Sequence, residues 1–270
     1  SASAPYGPIN VYNGEACGII SPLYLCFKVK GINRRFLYHY FKSTKWHPYM
    51  YANGDSGARH DRVSIKDETF LELPIFHPGE AEQCKIVELV ESLDDRIATQ
   101  IKIIEKLESL IKGLCQKLTQ QGNSNTALNE TLVCYSSTLQ ESSVQEAGDY
   151  PVYGATGVCG YTDTPEVDGD SILIIKDGAS VGVTYYASGR YSAIGTLNRL
   201  VAKRGYSLRY LYYCLKVFNF APYRTGLAIP HIYFRDYGKA KVWCPSLDEQ
   251  HRIADALTKV EQKIAMEKSI

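Results

Sequence analysis

From about Glu80 to Gln120 the apolar positions are Ile86, Val90, Leu93, Ile97, Ile101, Ile104, Leu107, Ile111, Leu114 and Leu118, in steps of three and four. That spacing is a heptad seam, interrupted in one row only by Gln100. With no proline between Pro78 and Gln120 and charges of both signs on the other faces, it predicts one helix of roughly 40 residues, about 60 Å long. Gly122-Asn-Ser-Asn-Thr126 is expected to end it. A second seam, Ile253, Leu257, Val260 and Ile264, opens the same pattern near the C-terminal end. Two such helices would pack side by side; one amphipathic helix lying on its own domain remains an alternative.

Between 127 and 205 the period changes. Val152-Tyr-Gly-Ala-Thr-Gly157, Ser171-Ile-Leu-Ile-Ile175 and Gly182-Val-Thr-Tyr-Tyr186 are β-branched and aromatic runs separated by glycine turns. Short helices are expected over Leu208–Phe218 and Arg35–Ser43. The fold class is therefore α+β rather than a doubly wound sheet.

The chain also repeats itself. Phe36-Leu-Tyr-His-Tyr-Phe-Lys42 aligns with Tyr210-Leu-Tyr-Tyr-Cys-Leu-Lys216, and Trp46-His-Pro-Tyr49 with Phe220-Ala-Pro-Tyr223. Farther on, Pro78, Glu82, Gln83 and Ile86 align with Pro245, Glu249, Gln250 and Ile253, each set entering a seam helix. The first copy is shorter at its start and the second at its end, so a complete two-copy protein would be longer at both ends.

Formal charge is only +1, but its distribution is uneven. No acidic residue falls between Asp177 and Asp236, an interval holding Arg190, Arg199, Lys203, Arg204, Arg209, Lys216, Arg224 and Arg235. Glu15 to Asp55 is likewise acid-free around Lys28, Lys30, Arg34, Arg35, Lys42 and Lys45. Two such stretches at matching places suit a polyanion; solvated faces balanced elsewhere in space are the alternative. The 8 cysteines stand singly, without Cys-x-x-Cys, and read as reduced thiols with no metal role. No run is long enough to span a bilayer and the first residues lack a signal-peptide pattern, which points to a cytoplasmic location.

Dinucleotide, Walker, zinc-protease and nucleophile-elbow motifs are absent, as is an Asn-Pro-Pro-Tyr-type methyltransferase motif. Asp163, Asp168, Asp170 and Asp177 suggest a nuclease-like metal cluster less well than they suggest turn aspartates beside Gly169 and Gly178. No cofactor is expected. The candidate DNA-contacting residues lie on loops: Tyr153, Thr156 and Tyr161 around Gly154 and Gly157; Lys176 at a strand end; Arg190 and Arg199; and Arg224, Thr225 and His231. In the other copy they are Asn53, Arg59, His60 and Arg62. Arginine is shaped for guanine, asparagine for adenine, and hydroxyls serve either. The same loops also read as ordinary turns, and the 21 tyrosines as sheet and core packing.

The run 151–161, the Ile-Leu-Ile-x-x-Asp-Gly-Ala-x-x-Gly run 172–182 and the two Pro…Glu-Gln…Ile passages together resemble the DNA-specificity subunit of type I restriction-modification systems. Pro5-Tyr-Gly-Pro-Ile9 and Gly18-Ile-Ile-Ser-Pro-Leu-Tyr24 are similar to a later part of the same recognition domain. The resemblance implies two repeated target-recognition domains, the first incomplete, each followed by a long conserved helix, the helices packing as an antiparallel coiled coil. The expected boundaries are 1–79, 80–121, 122–247 and 248–270. It further implies a non-catalytic chain that reads a bipartite site on double-stranded DNA. Partner methyltransferase subunits would bring S-adenosylmethionine, a restriction/translocase subunit would cut, and the helices would offer a route to self-association. A coiled-coil assembly protein without DNA binding and a stand-alone nuclease remain as alternatives.

Overall fold

Asn33 starts the first helix. Its Oδ1 accepts from the backbone N–H groups of Arg35 (2.8 Å) and Phe36 (3.1 Å), satisfying donors that no helical carbonyl reaches. The computed structural model describes residues 9–22, 24–56, 63–226 and 228–269. They form two units, Ser1–Gln100 and Ile101–Ile270, each with its own core.

In the first unit α1 (Arg34–Lys42) is followed by α2 (His47–Asn53), which has proline in its first turn, where no N–H is needed. A short antiparallel pair, β1 (Asp55–Ser56) and β2 (Val63–Ser64), leads to α3 (Asp67–Leu71). Leu37, Phe41, Trp46 and Met50 make the core, with Phe70 stacked on Phe41 at 6.0 Å. The buried Trp46 indole N–H donates to the Phe41 carbonyl at 3.1 Å.

The long helix expected from the heptads is α4 (Glu80–Thr119), 40 residues. Near its start Gln83 is buried and bonds in both directions. Its Oε1 accepts from the Asn33 N–H (2.8 Å) and its Nε2 donates to the Pro78 carbonyl (2.8 Å).

The second unit begins with β3 (Thr126–Ala127), α5 (Leu128–Thr131), β4 (Leu132–Ser136), β5 (Tyr150–Gly154), β6 (Gly157–Thr162) and β7 (Val167–Asp168). There follow β8 (Ser171–Ile175), β9 (Thr184–Ala187), β10 (Arg190–Ala193), β11 (Leu197–Ala202), α6 (Leu208–Lys216), α7 (Phe234–Tyr237), β12 (Lys241–Val242) and α8 (Leu247–Lys268). One sheet has the order β4-β11-β8-β9 and another β6-β5-β10-β7, in which β5 and β10 run parallel. The first sheet lies between two apolar layers. Ile172 and Ile174 face a core shared with α6, α8 and the end of α4, while Leu173 and Ile175 face Tyr191 and Ala193 of the second sheet. Covered on both sides, β8 has no polar alternation, which is why it reads as an unbroken apolar run.

In this unit Gln250 repeats the arrangement of Gln83. It is buried, accepts from the Ser207 N–H (3.0 Å) and donates to the Pro245 carbonyl (2.9 Å), while Ser207 caps α6. The partners about two turns on also correspond: His39 faces Glu91 at 3.8 Å, and Tyr213 bonds Thr258 at 3.0 Å.

The seam residues divide into two groups. Ile111, Ile253, Leu257 and Ile264 are buried together, and Leu107, Leu114, Leu118 and Val260 pack against them. Lys268 reaches Glu108 at 2.6 Å. In the first unit Ile86 and Val90 are half-buried, as is Ile104 beyond the boundary. Between these, Leu93 and Ile97 are 50% and 58% exposed. Near these ends α8 reaches α4 through Lys268 and Glu108, and α1 pairs with it through Arg35 and Glu91.

Burial pushes the thiols of Cys115, Cys134 and Cys244 up from 9.0 to about 11. Above pH 9 the unfolded chain would release these protons and the folded chain would keep them, so stability falls as pH rises toward 11. Urea midpoints measured from pH 8.5 to 10.5 should decline in that window, and Cys115→Ala should flatten the decline. A slope unchanged in that variant would refute the assignment.

Candidate nucleic-acid interface

Three loops meet beyond the C-terminal end of β8. After Ile175 the backbone turns at once: the Lys176 N–H donates to the Thr196 carbonyl (3.0 Å), and Gly182 N–H returns to Ile175 (2.9 Å). Gly182 has φ +93°, and a Cβ there would sit 2.7 Å from the Phe220 ring, so only glycine closes this loop against the core.

The 224–231 loop is laid against it by backbone bonds. Gly178 N–H donates to Pro230 (2.9 Å) and Ile232 N–H to Lys176 (2.9 Å). Thr225 and His231 exchange N–H···O bonds of 2.9 and 2.8 Å. Side chains add two more links. Arg224 Nη2 donates to the Val181 carbonyl (3.1 Å), and His231 Nδ1 lies 2.7 Å from Asp177 Oδ1. The β5–β6 hairpin tip joins from the other sheet, where the Tyr185 hydroxyl donates to the Ala155 carbonyl at 3.0 Å. Thr156 is exposed on that tip.

Lys176, Arg224, Thr225, His231 and Thr156 are thus brought to one end of the sheets, and Tyr153 supports the tip with its ring edge-on to Tyr191 at 5.6 Å. Arg224 and Thr225 are exposed, Lys176 half-buried. In the Lys176–Gly178 turn the Asp177 carboxylate is taken by His231.

The other candidates lie elsewhere. Tyr161, 39% exposed, pairs with Pro151 at the base of the hairpin rather than its tip. Arg199 pairs with Leu173, stands over the Tyr135 ring at 4.3 Å and lies 3.5 Å from Ser171 Oγ. Arg190 donates to the Tyr150 hydroxyl at 2.6 Å and covers its ring. Asn53 is the last residue of α2, and its amide bonds back to the Tyr49 carbonyl (2.9 Å) instead of projecting from a loop. Arg59, His60 and Arg62 lie outside the described residues, as does most of the Pro5–Ile9 motif.

Sequence reasoning missed Asp177 and Tyr233 as neighbours of His231; the Tyr233 ring stacks at 6.5 Å. It also missed Val181, whose carbonyl holds Arg224.

Burial raises the thiols of Cys115, Cys134 and Cys244, and burial with a hydrogen bond to Asp170 raises Tyr186 to about 12. The aspartates that looked like a metal cluster are dispersed: Asp163 accepts from Asp149 N–H, Asp170 from Tyr186, and Asp177 pairs with His231. No helix among the described residues is long and apolar enough to cross a membrane.

Residues 135–270 match the family model described as the type I restriction modification DNA specificity domain. Over 117 residues the chain is 26% identical to the type I restriction enzyme EcoprrI specificity subunit of Escherichia coli, covering 43% of this chain and 29% of that subunit. A crystal structure of the type I restriction-modification S subunit from M. genitalium superposes with TM-score 0.64 at 20% identity, over 87% of this chain and 67% of that one. A structure solved in a study of complex assembly and conformational transition of the type I R-M system gives TM-score 0.58 at 19% identity, over 88% and 66%. These likenesses match the mixed helix and sheet fold. The chain spans less than a third of the length of the E. coli subunit it resembles.

Proposed function

Since the chain belongs to the type I restriction modification DNA specificity family, we propose that it reads duplex DNA sequence through the loop end of its second unit and guides partner subunits to the site it reads. The observation that carries this reading is the convergence of Lys176, Arg224, Thr225, His231 and Thr156 on loops tied to a sheet buried on both faces. Positive side chains hold phosphates and set register, while hydroxyl, guanidinium and imidazole groups address base edges. A rigid base matters, because loose loops would spend binding energy on their own ordering.

The finer architecture of the proposal is two related halves. The twin glutamine clamps, Gln83 on Asn33 and Gln250 on Ser207, support it, as does the order of the sequence repeat. Contacts of Lys268 with Glu108, and of Ile264 and Ile111 in one core, favour antiparallel packing of α8 on the end of α4. The exposed stripe Leu93, Ile97 and Ile101 would then receive another helix, whether from methyltransferase subunits, the restriction/translocase subunit or a second copy. The first unit would carry a partial recognition domain for the other half of a bipartite site. The chain itself would contribute recognition rather than catalysis.

Fluorescence anisotropy of the full chain on duplex DNA, with and without methyltransferase partners, tests the reading. Affinity should fall at least about tenfold between 50 and 200 mM salt. Arg224→Ala should weaken binding by about five- to tenfold. Affinity indifferent to salt, alone and with partners, would count decisively against DNA recognition.

A further inference from the structure

We propose that Asp177 is a positioning residue for His231: it fixes the ring's orientation and tautomer so that Nε2 accepts a hydrogen bond from an exocyclic amino group, N6 of adenine or N4 of cytosine, in the major groove. The proposal rests on the reading of these loops as DNA-facing. An ionised carboxylate has no proton to give, so the 2.7 Å contact between Asp177 Oδ1 and His231 Nδ1 requires the hydrogen on Nδ1. A neutral imidazole protonated there carries its lone pair on Nε2. That nitrogen has no partner among the described residues, and the side chain is 35% exposed.

The ring is also held from behind. Asp177 and His231 face each other across an antiparallel bridge, flanked by the Gly178–Pro230 and Ile232–Lys176 backbone bonds. Thr225 holds the His231 backbone at both N–H and carbonyl, and the Tyr233 ring lies nearly parallel to the imidazole, at 22°. A side chain merely filling a loop needs none of this. Fixed main chain, fixed rotamer and fixed tautomer are what a base-reading acceptor needs, because discrimination comes from polar groups left unpaired opposite the wrong base.

The rival is a staple that joins two loops without touching a base. His231→Asn separates the two, because an amide nitrogen can still donate to Asp177 from the Nδ1 position while nothing remains at Nε2. Asp177→Asn keeps an acceptor for Nδ1–H, whereas Asp177→Ala frees the tautomer. Each full-length variant would select duplexes from a randomised pool at about pH 8.5, above the usual imidazole range.

The expected result is a wild-type motif in which His231→Asn relaxes one base pair, with about tenfold weaker binding to the wild-type site and the rest of the motif intact. Asp177→Ala should relax the same pair and Asp177→Asn should keep it. Replacing adenine by purine, or cytosine by pyrimidin-2-one, at that pair should weaken the wild type and leave His231→Asn unaffected; which replacement acts identifies the base. A full motif retained by His231→Asn, equal weakening on all sequences, or amino-group removal without effect on the wild type would each overturn the proposal. Failure of the wild type to select any motif would instead overturn DNA reading itself.

Discussion

Gln250→Leu should lower the unfolding free energy of the second unit by about 2–5 kcal/mol, the cost of leaving two buried backbone groups unpaired. The leucine nearly matches glutamine in volume, so the loss is not a cavity. It is the Ser207 N–H and the Pro245 carbonyl, each losing its partner once the amide is gone. The chain carries its own reporters, for its 2 tryptophans fall one in each unit, Trp46 and Trp243. In a Trp46→Phe background, urea unfolding followed by Trp243 fluorescence should shift to lower midpoint on Gln250→Leu. The twin substitution Gln83→Leu, read through Trp46 in a Trp243→Phe background, should do the same to the first unit. A Trp243 midpoint indifferent to Gln250→Leu would mean the clamp contributes little.

Gly182→Ala should cost about 2–5 kcal/mol as well, from left-handed backbone strain and from overpacking against Phe220. Its effect on function should exceed that of an equally destabilising core substitution. Moving residue 182 displaces the Val181 carbonyl that holds Arg224 and the turn through Gly178 that holds Pro230. Thermal unfolding and DNA anisotropy on the same preparation separate the two effects. If Gly182→Ala lowers melting temperature yet binds DNA as the wild type does below its transition, the loop is not part of the binding surface.

Features that depend on neighbours in sequence were the legible ones. The heptad spacing located α4 to within a residue or so because helical periodicity is a local property, and the unbroken apolar run identified β8 because a strand covered on both faces cannot alternate. Coverage of the seam was not local: whether Leu93 or Leu257 is buried depends on which element arrives from elsewhere, and Leu257 on α8 shares a core with α6 and the end of α4 whereas Leu93 is exposed. The repeat made the two glutamines stand out without disclosing that each bonds a cap residue more than forty positions away. Of the site, Arg224, Thr225, His231 and Lys176 were chosen by residue type and do gather at one sheet end. The Asp177–His231 pair was invisible, since 54 residues separate its members and nothing in either loop announces the other. Nor did the sequence show that Arg190 and Arg199 stand over the rings of Tyr150 and Tyr135.

The strand Ser171–Ile175 has one more consequence, for the life of the chain before it folds. Five residues without charge, all fully covered in the native state, make a segment that would seek another strand whenever the sheet is open. Asp168 and Asp170 stand before it and Lys176 and Asp177 after it. Charges placed so close on both sides disfavour in-register stacking of copies.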